Sequence, residues 1–322
     1  MSIKQSLLLA FAVFSLISCR KSASGGPSPV SHYNPTLGFL SQFAPVIQTY
    51  TINAAVGGSF TSPQGTIVTI PPHAFLTKTG GAVSGNVVIQ FKDLYKKSDM
   101  LYANMFPTMG FTNQPLKSGG EFFMKAVQNN SALILATGKK INVYQPATLT
   151  GGIDTLHLQQ AFVAIDTSNC SSICPGTLQW FQSTNNSVIS LSAFYIFSMY
   201  QFSNPVDSGS WCNSDNSTYF SAYPQTQLLL LAKDSADDYS TEVFLFFTNL
   251  SSMVHVYRFG YENFPYNYAP QGLQCTVVAV GTKNGQLYSS FVPITIGVNQ
   301  TVPFTLSPTT VSSFTTQVQA LN

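Results

Sequence analysis

Charge is what this 322-residue chain has least of. Lys, Arg, Asp and Glu make up 8% of it, against about 25% in an average soluble protein. With a net charge of +2 there is no basic face of the kind that nucleic acid requires, so we expect no nucleic-acid partner. Histidine is scarce too: His32, His73, His157 and His255 are scattered along the chain. H-E-x-x-H, G-x-S-x-G and phosphate-binding glycine loops are missing. The expectation is therefore no catalytic residue, no resident metal and no cofactor. Runs of the ~20 apolar residues that a membrane-spanning helix needs are lacking as well. The longest later stretches, Leu228–Ala232 and Val243–Phe247, are strand-sized. Helical periodicity is limited to Leu37–Phe43 and a turn around Pro71–Phe75.

What the chain does have is a hydrophobic content of 44%, enough for substantial cores and too much for a disordered polar chain. Its start carries Lys4, an apolar run from Leu7 to Leu16 and small Ser18, the layout of a secretory signal peptide. Leu16-Ile17-Ser18-Cys19 resembles the lipobox of bacterial lipoproteins. That resemblance implies acylation of Cys19 on its thiol, removal of residues 1–18 and acylation of the new amino terminus. Each buried methylene then adds ~0.8 kcal/mol of membrane affinity, so several chains anchor the protein to a membrane. In residues 19–47 Cys19 is followed by Arg20-Lys21 and a Ser/Gly/Pro-rich stretch, a flexible tether.

From residue 48 the pattern becomes short β-branched runs separated by Gly, Pro and Asn. Ile67–Ile70, Val87–Phe91, Ile141–Tyr144, Phe162–Ile165, Phe194–Phe197, Gln227–Ala232, Val243–Thr248 and Val254–Tyr257 read as strands. Asn284-Gly285 between two such runs reads as a type I′ hairpin turn. Gly151-Gly152 marks the expected boundary, giving two all-β sandwiches of immunoglobulin-like type at 48–150 and 151–322.

Gly57-Gly58-Ser59-Phe60, Gly65 to Pro71, Ala74-Phe75, Gly81 to Ile89 and Ser118-Gly119-Gly120-Glu121-Phe122 together are similar to ZU5-type domains. The whole resembles outer-membrane lipoproteins of Bacteroidota that carry a ZU5-like sandwich, and Trp211 to Asp215 resembles a segment of the same proteins. The resemblance implies an outer-membrane, lipid-anchored protein whose sandwich docks other proteins. The leaflet, periplasmic or surface-facing, stays open. ZU5 self-cleavage occurs at His-Phe-Ser, a sequence this chain does not contain.

Apart from Cys19, four cysteines remain, and an even count in an exported protein points to two disulfides. Three connectivities are possible; Cys170–Cys174 before Pro175, with Cys212–Cys275, is the expected one. Asp93, Asp99 and Glu121, close to Lys92, Lys96 and Lys97, read as solvated surface. Asn213 to Ser217, and Asp234 with Asp237 and Asp238, offer oxygen ligands to calcium. Neither matches the calcium loop with its glycine and terminal glutamate, so both read as hydrated turns. The aromatic segment Arg258 to Tyr268, with Tyr261, Phe264 and Tyr266, reads as a loop offering rings to a partner. Trp211 is expected nearby, brought there by the Cys212–Cys275 bridge. The expected function is a non-enzymatic interaction or structural module with a protein partner in the envelope. A glycan bound by the aromatic loop, or processed with its help, is the alternative.

Overall fold

A computed structural model describes residues 35–110, 112–157, 159–166, 178–199, 210–234, 240–260 and 262–322. The strands begin with β1 (Gln48–Asn53), β2 (Gly58–Thr61), β3 (Ile67–Ile70), β4 (Phe75–Leu76), β5 (Asn86–Leu94) and β6 (Lys117–Gln128). There follow β7 (Ser131–Ala132), β8 (Ile134–Leu135), β9 (Ile141–Pro146), β10 (Gln160–Asp166), β11 (Leu178–Gln182) and β12 (Ser187–Leu191). Next come β13 (Phe194–Met199), β14 (Ser210–Asn216), β15 (Gln225–Ala232), β16 (Glu242–Phe247) and β17 (Met253–Val256). The last are β18 (Asn263–Pro270), β19 (Gln274–Lys283), β20 (Gln286–Thr295), β21 (Gln300–Phe304) and β22 (Ser307–Thr309). Among the described residues three short α-helices accompany them: α1 (Pro35–Leu40), α2 (Lys97–Ala103) and α3 (Val311–Gln319). The fold is all-β, as the sequence predicts. Among the described residues no helix is long and apolar enough to cross a membrane.

Four sheets carry the architecture. Sheet 1 runs β1-β5-β6-β14-β10-β11 with β7 on β6, and sheet 2 runs β12-β13-β9-β3-β2. Sheet 3 runs β17-β16-β19-β20-β22, and sheet 4 runs β18-β15-β21. Three hydrophobic cores lie between them. Phe91, Phe122 and Met124 of sheet 1 meet Val68, Val143 and Phe197 of sheet 2. The other face of sheet 1, with Leu94, Phe162 and Trp180, shares a core with Phe244, Phe246 and Val278 of sheet 3. Met100, Leu101 and Phe106 from the β5–β6 connection, and Phe314 and Val318 of α3, complete that core. Leu245, Phe247 and Val277 then meet Leu230, Phe264 and Val302 across sheets 3 and 4. The layers therefore follow the order 2-1-3-4. Sheet 3 is covered on both faces, which is why Val243–Phe247 and Val277–Val280 are unbroken apolar runs.

The sheets do not part at Gly151-Gly152, and this corrects the expected boundary. β13 pairs with β9, and β14 with β6, so strands from beyond residue 151 complete both sheets of the first sandwich. The physical reason is edge completion: β6 and β9 each need a partner for their backbone groups, and later strands supply it.

Local expectations fare better. The run Leu37–Phe43 folds as α1 followed by one 3₁₀ turn. Asn284 and Gly285 take φ of 51° and 76° at the β19–β20 turn. Pro71–Phe75 holds no helix. Helices α2 and α3 were not expected; α3 is rich in Ser, Thr and Val, poor helix formers, but Thr310 caps it by accepting from the Ser313 amide at 3.1 Å.

Candidate functional site

The residues singled out in the sequence do not converge. Cys19, Cys170, Cys174 and Tyr261 lie outside the described residues, as do Asp237 and Asp238. Cys212 and Cys275 are free and buried in different cores, the first between sheets 1 and 2, the second between sheets 3 and 4. This corrects the expected Cys212–Cys275 bridge. Desolvation pushes the Cys275 thiol up to about 12 and the Cys212 thiol higher still, so neither is a reactive thiolate.

The second half of the aromatic segment, from Asn263 on, is strand β18 rather than a loop, while Arg258 to Gly260 lie outside the strands. Phe264 is 1% exposed and Tyr266 3%, both facing the core between sheets 3 and 4. The Tyr266 hydroxyl donates to the Asn113 carbonyl at 3.0 Å, and burial raises its pKa well above the usual range. Tyr268 is half-buried against the same core, while Arg258 is exposed and Phe259 is 77% exposed. Trp211 belongs to another place, packed on Phe123 in sheet 1 with Lys92 Nζ 6.0 Å from its ring. Alternation along β18, which the Pro and Asn residues conceal in the sequence, decides which rings turn inward.

Two motifs do meet. Ser118-Gly119-Gly120-Glu121-Phe122 of β6 pairs with Trp211 to Asn216 of β14, with Glu121 opposite Asn213 and Ser118 opposite Asp215. The extra residue on β6 forms a bulge at the two glycines. Gly120 has φ of 119°, and a Cβ there meets Tyr95 Cε1 at 2.4 Å; at Gly119 it meets the Tyr195 ring at 2.8 Å. Only glycine lets β6 pass so close to both rings.

The bulge brings acids inside that the sequence places on the surface. Glu121, Asn213 and Asp215 are wholly buried. Ser118 Oγ donates to Asn213 Oδ1 at 2.8 Å, and Asn213 Nδ2 donates to Glu121 Oε1 at 3.4 Å. Glu121 Oε2 and both Asp215 carboxylate oxygens have no hydrogen-bond partner. Desolvation raises both pKa values well above the ordinary carboxylate range, and Asp215 adds to the rise at Glu121. Asp93 is buried too, but satisfied: Ser62 Oγ donates at 2.6 Å, Thr66 Oγ1 donates to the same oxygen, and Gln64 Nε2 reaches the other at 3.3 Å. Lys97 Nζ is spent on the Phe247 carbonyl, and desolvation lowers its pKa to about 8. The expectation of a solvated Asp93–Asp99–Glu121 surface is thus corrected at Asp93 and Glu121. So is that of a hydrated turn at Asn213 to Ser217, because Asn213 to Asn216 are buried in β14.

His255 faces Glu242, its Nε2 paired with Oε2, among the rings of Phe106, Phe244 and Tyr257. His73 is an exposed turn residue with φ of 53°. A cleft of about 280 Å³ is lined by Tyr95, Lys96, Lys97, Leu149, Ser251 and Asn322, among others.

The feature that sequence reasoning missed is the outer face of sheet 2. Ile189 stands opposite Ile196, Ile196 opposite Tyr144, and Tyr144 opposite Ile67. Beside this row, Leu191 stands opposite Phe194, and Phe194 opposite Pro146. Two apolar rows therefore cross the sheet on the face turned away from its core. Ile189 is 59% and Leu191 60% exposed, while Ile67, Tyr144, Pro146 and Phe194 are half-buried and Ile196, between Ile189 and Tyr144, is buried at 8%, so the exposure is concentrated on β12. Both rows end on β12, the terminal strand of the sheet, and Ser187-Val188-Ile189-Ser190-Leu191 carries neither proline nor charge. Only the strand pairings bring these residues together, so no linear motif announces them.

Comparison of the chain with family models, with curated proteins and with solved structures finds no match.

Proposed function

We propose that this is a lipid-anchored protein of the outer membrane whose β-stack is a non-enzymatic interaction module. The observation that carries the docking part is the apolar outer face of sheet 2 ending on β12, which has a strand partner on one side only among the described residues. Exposed apolar rows of this kind are uncommon on monomers and mark interaction surfaces. A free edge offers unpaired backbone groups, to which a partner adds an extended segment while its alternate side chains rest on the rows. The partner is therefore a protein with an apolar extended segment. The lipobox-like Leu16 to Cys19 supports the anchor, and the ZU5-like glycine and Ile-Pro pattern supports a docking role. The glycan reading no longer draws on Phe264 and Tyr266, which serve the core, and rests on exposed Arg258 and Phe259 among the described residues of that segment.

Crosslinking and capture from native envelopes, with the intact protein beside Cys19→Ala, tests the proposal. A protein partner captured by the intact chain and lost with the anchored location supports it. Capture of polysaccharide alone, or membrane retention of Cys19→Ala, contradicts it.

A further inference from the structure

We propose that the cleft between the β5–α2 junction and the β16–β17 turn binds a small organic carboxylate. Its other walls are the turn after β9 and Asn322 beyond α3. Lys96 and Lys97 are the charged side chains that line it, and among the described residues no acid does.

Lys97 carries the argument. It is 3% exposed, and its Nζ is held at the foot of the β16–β17 turn by the carbonyl of Phe247, the last residue of β16. A lysine ammonium has three donors; a neutral carbonyl occupies one of them and leaves the charge unanswered. Among the described residues neither Lys97 nor Lys96 has an ion pair. Asp99 is near enough to Lys96 to feel its charge but does not line the cleft. Burial lowers the Lys97 pKa only to about 8, so most of the group is protonated at neutral pH. A buried cation beside a cavity of about 280 Å³, with a second and exposed cation lining the same space, suits an anion.

The neutral part of the lining selects the kind of anion. Leu149 and Leu250 give the cleft an apolar side, and Asn249 and Ser251 offer hydrogen bonds beside it. A carboxylate on a short apolar body uses both: its oxygens take the ammonium groups and its body covers the leucines. Phosphate, hydrated on all sides, gains nothing from the leucines. The wall is built in advance, because Asn322 Oδ1 accepts from the Ser98 amide at 2.9 Å and its Nδ2 donates to Ser98 Oγ at 3.0 Å. Those two bonds tie the end of α3 to α2.

The test is calorimetric titration of the full-length protein in detergent with sodium benzoate, against sodium chloride at matched ionic strength. One equivalent should bind with Kd below about 1 mM. Lys97→Met and, separately, Lys96→Glu should each weaken binding by about tenfold or more. Lys140→Met, an exposed position outside the cleft, should leave it unchanged. No binding by the unaltered protein overturns the proposal, as does binding unchanged in either cleft variant. Sodium phosphate bound more tightly than benzoate overturns the choice of a carboxylate. If Lys97→Met does not fold, exposed Lys96 decides: weakened binding in Lys96→Glu supports the site and unchanged binding overturns it.

Discussion

At the sheet 4 end of the stack, the aromatic rings are turned inward and the borders are guarded. Phe264 and Tyr266 fill the core, and the two border strands carry Pro265, Pro270 and Pro303, which remove donors that an added strand would need. At the sheet 2 end the arrangement is reversed. Aliphatic Ile189 and Leu191 face outward on a border strand with no proline and no charge. Aromatic richness in the sequence points to the first end, while exposure and backbone availability point to the second. Border strands β1, β2 and β11 also lack proline and charge, so what sets β12 apart is the pair of outward, exposed aliphatic side chains, Ile189 and Leu191.

The contrast can be broken by mutation, and the largest effect is expected in the core. Phe264→Ala should cost about 3–5 kcal/mol in denaturant unfolding, as a large ring removed from a tight core. A ring that served only a partner would cost under ~0.5 kcal/mol. At the other end, Ile189→Asp with Leu191→Asp should change stability by no more than about 0.5 kcal/mol, yet abolish partner capture. Lys97, between the ends, supplies a pH signature. Its pKa is about 8 when folded and 10.5 as the free side chain, so the unfolded chain binds more protons between those values. Stability should therefore rise with pH across that window, and Lys97→Met should remove the slope. Smallest of all, Phe259→Ser should alter neither stability nor capture, and Cys212 and Cys275 should resist alkylation until denaturant is added. Labelling of either in the native protein would contradict their burial.

Much of the strand inventory was legible in the sequence. Doubly buried β16 and β19 announce themselves as continuous apolar runs, and Asn284-Gly285 fixes the β19–β20 register through two positive φ angles. Pairing over long separations was not legible. Nothing local shows that β14 returns to β6, so the boundary fell at Gly151-Gly152 and the acids were read as surface. Glu121 and Asp215 look hydrated in isolation, and only the bulge at Gly119-Gly120 turns them inward. The signals available were the two glycines and the run Asn213 to Asn216, polar residues placed where a strand should be. Helix α3 was hidden by composition, since Phe314 and Val318 are its only buried apolar pair.

Site-specific photocrosslinking tests the central claim most directly. A benzophenone side chain at position 191, and separately at position 259, is irradiated in intact cells making the anchored protein. An adduct with one envelope protein from position 191 and none from 259 is the predicted result. Adducts from 259 alone, or from 191 only to a second copy of this chain, would contradict it.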